Sequence, residues 1–144
     1  MKKTIKKLPK EFLKMFDWKK PTVQMLGRWQ PWHKGHQELF KRCIGKTGQV
    51  IIQVRDIKGS SGGPNQEDNP FDYEDICTEI EKNLIKEGFN RSEHYEIMLV
   101  PNVVNISYGR GVGYVFEEEH FDDEISSISA TKIRKKLREE GKLE

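Results

Sequence analysis

Cysteine is nearly absent, with only Cys43 and Cys77 in a chain of 144 residues. Two isolated thiols on separate predicted helices make neither a disulfide framework nor a zinc site of the usual ligand spacing. They read as reduced, buried thiols of a cytoplasmic protein. No apolar run approaches the roughly 18 residues of a membrane-spanning helix, and no signal peptide is read at the start, so no membrane partner is expected. Apolar residues are also scarce, at 35% of the chain against 33% charged. That balance suits a small α/β domain with solvated helices and does not demand disorder. One sign of charge does not dominate either, since the net is +2.

The charge that is present is unevenly placed. Residues 1–20 carry eight lysines against Glu11 and Asp17, a net +6, which leaves −4 on the remainder. Leu8, Phe12, Met15 and Phe16 share one face of a short amphipathic helix pattern in this stretch. Basic arms of this kind bind nucleic acid. The plainer reading, preferred here, is a packing appendage that covers a sheet edge or a subunit interface. The chain therefore divides into a basic N-terminal extension, 1–20, and one domain, 21–144, with no room for a second.

From Pro21 onward, apolar strands alternate with helical patterns. Strands are predicted over Val23–Leu26, Gln49–Arg55 and Glu96–Val100, and helices over His36–Cys43 and Tyr73–Lys86. The near-continuous apolar run Val50–Val54 predicts a strand covered on both faces of a parallel sheet. A long loop, Asp56–Asn69, rich in Gly, Ser, Asn and acidic residues, has a length usual for functional loops. The glycine-broken segment Asn105–Phe116 predicts a strand, a turn and a strand. An acidic connection, Glu117–Glu124, reads as solvated and leads to a last helix. The whole predicts a Rossmann-like, doubly wound parallel sheet, with its ligand beyond the carboxyl ends of the strands.

At that end falls the run Gly27-Arg28-Trp29-Gln30-Pro31-Trp32-His33-Lys34-Gly35-His36. A strand-to-helix turn offers an anion the unpaired N–H groups and positive dipole end of the helix. Gly35 lets a phosphate approach the backbone, and imidazoles at i and i+3 lie on one face and donate to the same phosphate oxygens. The turn reads as a polyphosphate site. Near the other end, Ile128-Ser129-Ala130-Thr131-Lys132-Ile133-Arg134 opens the last helix. Ser129 is a natural N-cap, Thr131 adds a hydroxyl in the first turn, and Arg134 projects a guanidinium able to fork onto phosphate. The alternative is an ordinary helix start with a solvated basic face.

The first run resembles the His-x-Gly-His signature of the cytidylyltransferase-like nucleotidyltransferases. Its Gly-Arg-Trp-Gln-Pro opening is closest to the archaeal-type nicotinamide-nucleotide adenylyltransferases. The second run is similar to the Ile-Ser-x-Thr-x-x-Arg motif of the same superfamily, and Asn69-Pro70-Phe71 is a weaker echo of the adenylyltransferases. The resemblance spans about Val23 to Leu137. It implies a single nucleotidyltransferase domain that moves a nucleoside monophosphate from ATP or CTP to a small phosphate- or phosphonate-bearing acceptor, releasing pyrophosphate. His33, His36 and Arg134 would then be catalytic, and Gly27, Arg28, Trp29, Gly35, Ser129 and Thr131 would hold nucleotide and phosphate. Arg28 would contact phosphate or pair with Asp56. Arg55, Lys58 and Asn69 would bind the acceptor, with a solvated loop charge as the alternative for the two basic residues. Trp29 and Trp32 would stack on a base or fill the core. Magnesium would arrive on the triphosphate, with no metal ligands of the protein's own, and a homo-oligomer is in keeping with small members of the family. Two rivals remain at this point: a non-catalytic nucleotide sensor of the same fold, and a nucleic-acid module led by the basic arm.

Overall fold

A computed structural model describes residues 15–111 and 113–144. Their order is β1 (Val23–Gly27), α1 (Lys34–Thr47), β2 (Val50–Arg55), α2 (Tyr73–Ile85), β3 (Tyr95–Val100), α3 (Asp123–Ser126) and α4 (Ala130–Glu139). The strands form one parallel sheet in the order β1-β2-β3. Val50 stands between Val23 and Tyr95 in the register. Parallel neighbours need crossovers, and α1 and α2 supply them. Gln37 of α1 donates to the backbone carbonyl of Asn83 in α2 at 2.9 Å, so the two helices lie side by side over one face of the sheet.

Between helices and sheet lies the core. Phe40 and Cys43 from α1, and Ile76, Ile80 and Leu84 from α2, pack on Met25, Val50, Ile52, Val54, Tyr95 and Ile97. Phe40 has no exposed surface and meets Phe89 and Tyr95 edge-on. Both cysteines are free and buried, and burial pushes both thiols up. No helix among the described residues is long and apolar enough to cross a membrane.

The α/β class and the parallel Rossmann-like sheet are as the sequence predicts, and the described strands all wind in one direction from β1. That has a consequence for β2. Val50, Ile52 and Val54 are buried under the helices, whereas Ile51 and Gln53 on the other face are half-buried. Two-sided cover was expected from the apolar run. Successive crossovers in one direction put their helices on one side, and the other face carries a polar row instead. Gln24 bonds to Gln53, whose amide reaches the Met98 sulfur at 3.6 Å.

A second correction concerns residues 105–116, where the described residues form no strand. Val104, Ile106, Tyr108, Tyr114, Val115 and Phe116 are all exposed. Gly109, Gly111 and Gly113 break the run, and Gly113 turns with φ 81, so no stretch is long enough to pair. The acidic connection after it is solvated along most of its length, as expected, with Glu119 and Phe121 half-buried. Glu119 pairs with Arg42 and Lys46 of α1, and the Arg42 guanidinium lies 4.0 Å from the centre of the Phe121 ring.

Helix ends follow their caps. α1 outruns the predicted His36–Cys43 at both ends, starting from a His33 cap and stopping at Gly48, where φ is 88. Only a residue tolerant of left-handed backbone closes a helix in this way. Asp72 caps α2 and Ser129 caps α4 through their side chains. Most of the basic extension, with Leu8 and Phe12, lies outside the described residues. Of the rest, the Phe16 N–H donates to Ser92 at 2.7 Å, and the Asp17 N–H donates to the Gln49 side chain at 3.1 Å. Residues 16 and 17 are therefore tied to the amino ends of the strands, opposite the His-Lys-Gly-His turn.

Candidate active site

The chain leaves β1 at Gly27 and enters α1 at Lys34, and the turn between them is built around two imidazoles. His33 Nδ1 accepts the Gly35 N–H at 3.0 Å. His36 Nδ1 accepts the His33 N–H at 3.1 Å. The pair forms a capping box in which histidines replace the usual hydroxyl and carboxylate. A ring nitrogen that accepts carries no proton, so each neutral imidazole holds its proton on Nε2. Those two Nε2–H groups make no hydrogen bond among the described residues and are donors ready for an anion. The rings stack with centroids 3.6 Å apart, and Trp29 meets the His36 ring edge-on at 4.8 Å.

Burial, then the neighbouring His33 and Arg28, pushes the His36 pKa down to about 3. Burial lowers that of His33 as well. Both rings are therefore neutral hydrogen-bond donors at neutral pH. The unfolded chain protonates its histidines near 6.5, so between that pH and about 3 it binds a proton that folded His36 refuses. Stability is then whole above pH 6.5 and falls as pH drops through this window. We expect urea unfolding at pH 4.5 to show about 3 kcal/mol less stability from this group than at pH 7.5. The His36→Asn variant should lose that part of the pH dependence; an unchanged slope in the variant would contradict the assignment.

The two glycines of the turn serve the rings. A Cβ on Gly35 would lie 2.8 Å from the His33 ring, and one on Gly27 would lie 2.7 Å from the Trp29 indole. Gly35 was expected to let a phosphate approach and Gly27 to hold nucleotide or phosphate; the space a Cβ would take on each is filled by an aromatic ring of the chain itself. Of the two roles expected of Trp29, stacking on a base or filling the core, the second is the one it takes. It is buried, with its indole N–H donating to the Gln53 carbonyl at 3.0 Å, and its backbone takes a left-handed φ of 52. Trp32 is buried too and donates to Gln37 at 2.8 Å. Both indoles wall the histidines, and neither offers a free face to a base.

Cations crowd the same end of the sheet. The pKa of Arg28 is lowered first by burial, then by the charges of Arg134 and Arg55, against a smaller opposing effect from Asp68 and Glu67. Three guanidiniums with little carboxylate to balance them favour an anion among them. Arg134, only 3% exposed, projects back from α4. It donates through Nε to Asp68 at 2.8 Å, through Nη1 to the Gln30 carbonyl at 2.5 Å, and through Nη2 to Thr131 at 3.4 Å. The Ser129 hydroxyl accepts the Lys132 N–H at 3.4 Å and keeps its own proton to donate.

The loop after β2 is where the predicted acceptor residues separate. Arg55 is buried and its guanidinium holds the loop: Nη1 donates to Gln66 at 3.0 Å, and Nη2 to Asn102 at 2.7 Å and to the Gly62 carbonyl. Among the described residues, only its buried Nε lacks a partner. Asn69 accepts from Arg28 at 2.8 Å and donates to the carbonyls of Ser60 and Gln66 at 2.8 and 2.6 Å. Both were expected on the acceptor; both are instead spent on closing the loop. Arg28 pairs with this asparagine and not with Asp56. Lys58 is different. It is exposed, 3.8 Å from Asp72, on the rim of a cleft of ≈ 350 Å³ that Phe71, Tyr73 and Leu99 also line beyond the carboxyl ends of β2 and β3.

Two residues escaped the sequence reading. Gln30, 2% exposed, clasps the Phe71 backbone with both ends of its amide at 2.9 Å, tying the Asn-Pro-Phe segment to the histidine turn. Asp68 takes both oxygens' worth of hydrogen bonds from Arg138 at 2.7 Å while it holds Arg134. Gln30 could have been noticed as an amide set among tryptophans; Asp68 had no signal beyond its charge. No group of three or more His, Cys, Asp or Glu side chains among the described residues is placed to hold a metal.

No family model matches the chain. Three curated relatives are named nicotinamide-nucleotide adenylyltransferase. That of Methanococcus aeolicus is 34% identical over 65 residues, covering 45% of this chain and 36% of the relative. The Thermoplasma acidophilum protein is 34% identical over 77 residues, covering 54% and 38%. The Methanococcus maripaludis C6 protein is 27% identical over 136 residues, covering 78% and 75%. The aligned part of the chain thus spans little more than a third of the first two relatives. A solved bifunctional NMN adenylyltransferase/ADP ribose pyrophosphatase from Francisella tularensis matches with a TM-score of 0.47 and 23% identity, over 57% of this chain and 23% of that one. In sequence, then, the chain resembles the nucleotidyltransferase superfamily, on the side of the archaeal nicotinamide-nucleotide adenylyltransferases.

Proposed function

We propose that this chain transfers the adenylyl group of ATP to the phosphate of nicotinamide mononucleotide. An oxygen of the acceptor phosphate attacks the α-phosphorus, the bond from that phosphorus to the bridging oxygen of the β-phosphate breaks, and pyrophosphate leaves. The observation that carries this reading is the histidine pair, whose Nδ1 atoms are fixed by backbone N–H groups and whose Nε2–H groups are left to donate. Transfer of a nucleotidyl group asks the protein for alignment and for donors aimed at developing charge. His33 and His36 meet that need at the amino end of α1, where the helix dipole adds to it. Arg134 and Arg28 would balance the charge on the departing pyrophosphate, and Ser129 would donate its hydroxyl proton to a phosphate oxygen. Lys58, at the rim of its cleft, would attract the phosphate of the acceptor.

The donor set suits a magnesium ion that arrives on the nucleotide rather than one caged by side chains, since the carboxylate nearest Arg134 is occupied by two arginines. Bound in that way it would offset part of the phosphate charge, leaving Arg134, Arg28 and Ser129 to hold and orient the oxygens.

A pyrophosphate-release assay tests the proposal, crossing ATP, CTP, GTP and UTP with nicotinamide mononucleotide, alcohol phosphates and phosphonates, and identifying products by mass. ATP with nicotinamide mononucleotide should stand clear of every other pair by tenfold or more. A different pair in first place would rename the substrates. Nucleotide binding with no transfer would make the chain a sensor, and no binding at all would overturn the reading of the turn.

A further inference from the structure

Asp68 lies outside both motifs, and its chemistry is the least explained in the molecule. It closes a long loop of polar residues, where a carboxylate would ordinarily be solvated. Instead it is gripped by two arginines one helical turn apart on α4. Arg138 donates Nη1 to Oδ2 and Nη2 to Oδ1, both at 2.7 Å, the bidentate fork that fixes a carboxylate in plane as well as in place. The same Oδ2 accepts Arg134 Nε at 2.8 Å. Hydrogen bonds from Arg138 and then Arg134 hold the carboxyl well below the usual carboxylate range, so it is an anion at neutral pH.

The side from which Asp68 approaches matters. A guanidinium has five N–H donors. Asp68 takes the one on Nε, the Gln30 carbonyl takes one on Nη1 and Thr131 takes one on Nη2. Among the described residues, one N–H therefore stays free on each terminal nitrogen. A carboxylate competing for the phosphate position would occupy the terminal nitrogens. Asp68 holds the stem side and leaves a donor on each of them.

Resting on the proposed function, we infer that Asp68 is a positioning residue, anchored by Arg138, that sets the angle at which Arg134 presents its two remaining N–H groups to a phosphate. Removing a negative charge near an anion site would by itself tighten anion binding. Loss of alignment does the opposite to turnover, because a displacement of about 1 Å can cost on the order of a hundredfold. The two effects separate charge from geometry.

The test uses the full chain and the variants Asp68→Asn, Asp68→Glu and Arg138→Gln, with folding checked by circular dichroism melting. Asp68→Asn should lower kcat for adenylyl transfer at least tenfold while KM for ATP stays the same or falls. Asp68→Glu should recover part of the loss, and Arg138→Gln, which leaves Arg134 untouched, should lower kcat three- to tenfold. The Arg134 Nε–H resonance, assigned by its disappearance in Arg134→Lys, supplies a readout apart from activity. It should be sharp in the wild type, shift on adding pyrophosphate, and broaden in Asp68→Asn. If wild-type protein shifts this resonance with pyrophosphate yet transfers nothing, the proposed function falls and the resonance alone decides the role of Asp68. Wild-type kcat in Asp68→Asn, a raised KM alone, or an unaltered Arg134 resonance would each overturn the inference. Should Asp68→Asn fail to fold, Arg138→Gln carries the test, and unchanged kcat and resonance there overturn it equally.

Discussion

His36→Ala is expected to lower kcat by about 10²–10³-fold, the range found when one preorganised donor to a developing oxyanion is removed. The loss arises at Nε2, the one nitrogen of this ring left to a ligand. A second effect accompanies it, because His36 Nδ1 accepts the N–H of His33. Truncation frees that N–H and lets the His33 ring relax from its stacked position, so the partner imidazole loses aim as well. The fold should survive, since α1 keeps the His33 cap and the burial of Phe40 and Cys43. His36→Asn separates the two effects: its carbonyl can still accept the His33 N–H, and only the Nε2 donor is lost. Wild-type turnover in His36→Ala, with the fold intact by circular dichroism, would remove the histidine pair from the chemistry.

The second large effect is expected from Arg134→Lys. Charge is conserved, but a lysine ammonium cannot meet Asp68, Gln30 and Thr131 from one point and still offer two parallel donors. The compact ammonium should settle on Asp68, the one charged acceptor. Turnover should fall about a hundredfold with little change in KM for the acceptor, proposed to bind in the cleft beside Lys58. The buried Gln30 carbonyl loses its guanidinium partner, and a buried acceptor left unpaired costs about 1–3 kcal/mol, to be read as a lowered melting temperature. Turnover within threefold of wild type would show that Arg134 serves the fold alone.

What the sequence disclosed and what it concealed divide along a physical line. Periodicity and punctuation are local, and they located β1, β2, β3 and α2 to within two residues at each end, and the start of α4 at its Ser129 cap. The histidine turn was legible for the same reason, since a cap and a helix start are contiguous in the chain. Side-chain partners across the fold were not. Arg55 and Asn69 stand where a phosphate-binding residue belongs, and nothing local tells an arginine aimed at a ligand from one clamped on Gln66, Asn102 and Gly62. Likewise, alternation in β2 hides behind Ile51, an apolar residue on the half-exposed face. Only the direction of the crossovers decides which face is covered. Trp29 shows the same limit, because its burial depends on Gly27 being bare two residues earlier.

The loop between β2 and α2 has its anchors concentrated on very few points. Asn69 gathers the Ser60 and Gln66 carbonyls, Arg55 gathers Gly62 and Gln66, and the Asn102 amide donates to the Ser61 carbonyl at 3.0 Å. Gln66 is shared between two of these hubs, so releasing any one of them slackens the grip of the next. Such a segment does not fray from its tip inward. If it opens, such linkage is expected to release it as a single cooperative unit, with an opening free energy belonging to the whole stretch. Because Arg28 and Arg134 bond to Asn69 and Asp68 of this loop, an anion drawn to these arginines would act on the opening of the entire loop.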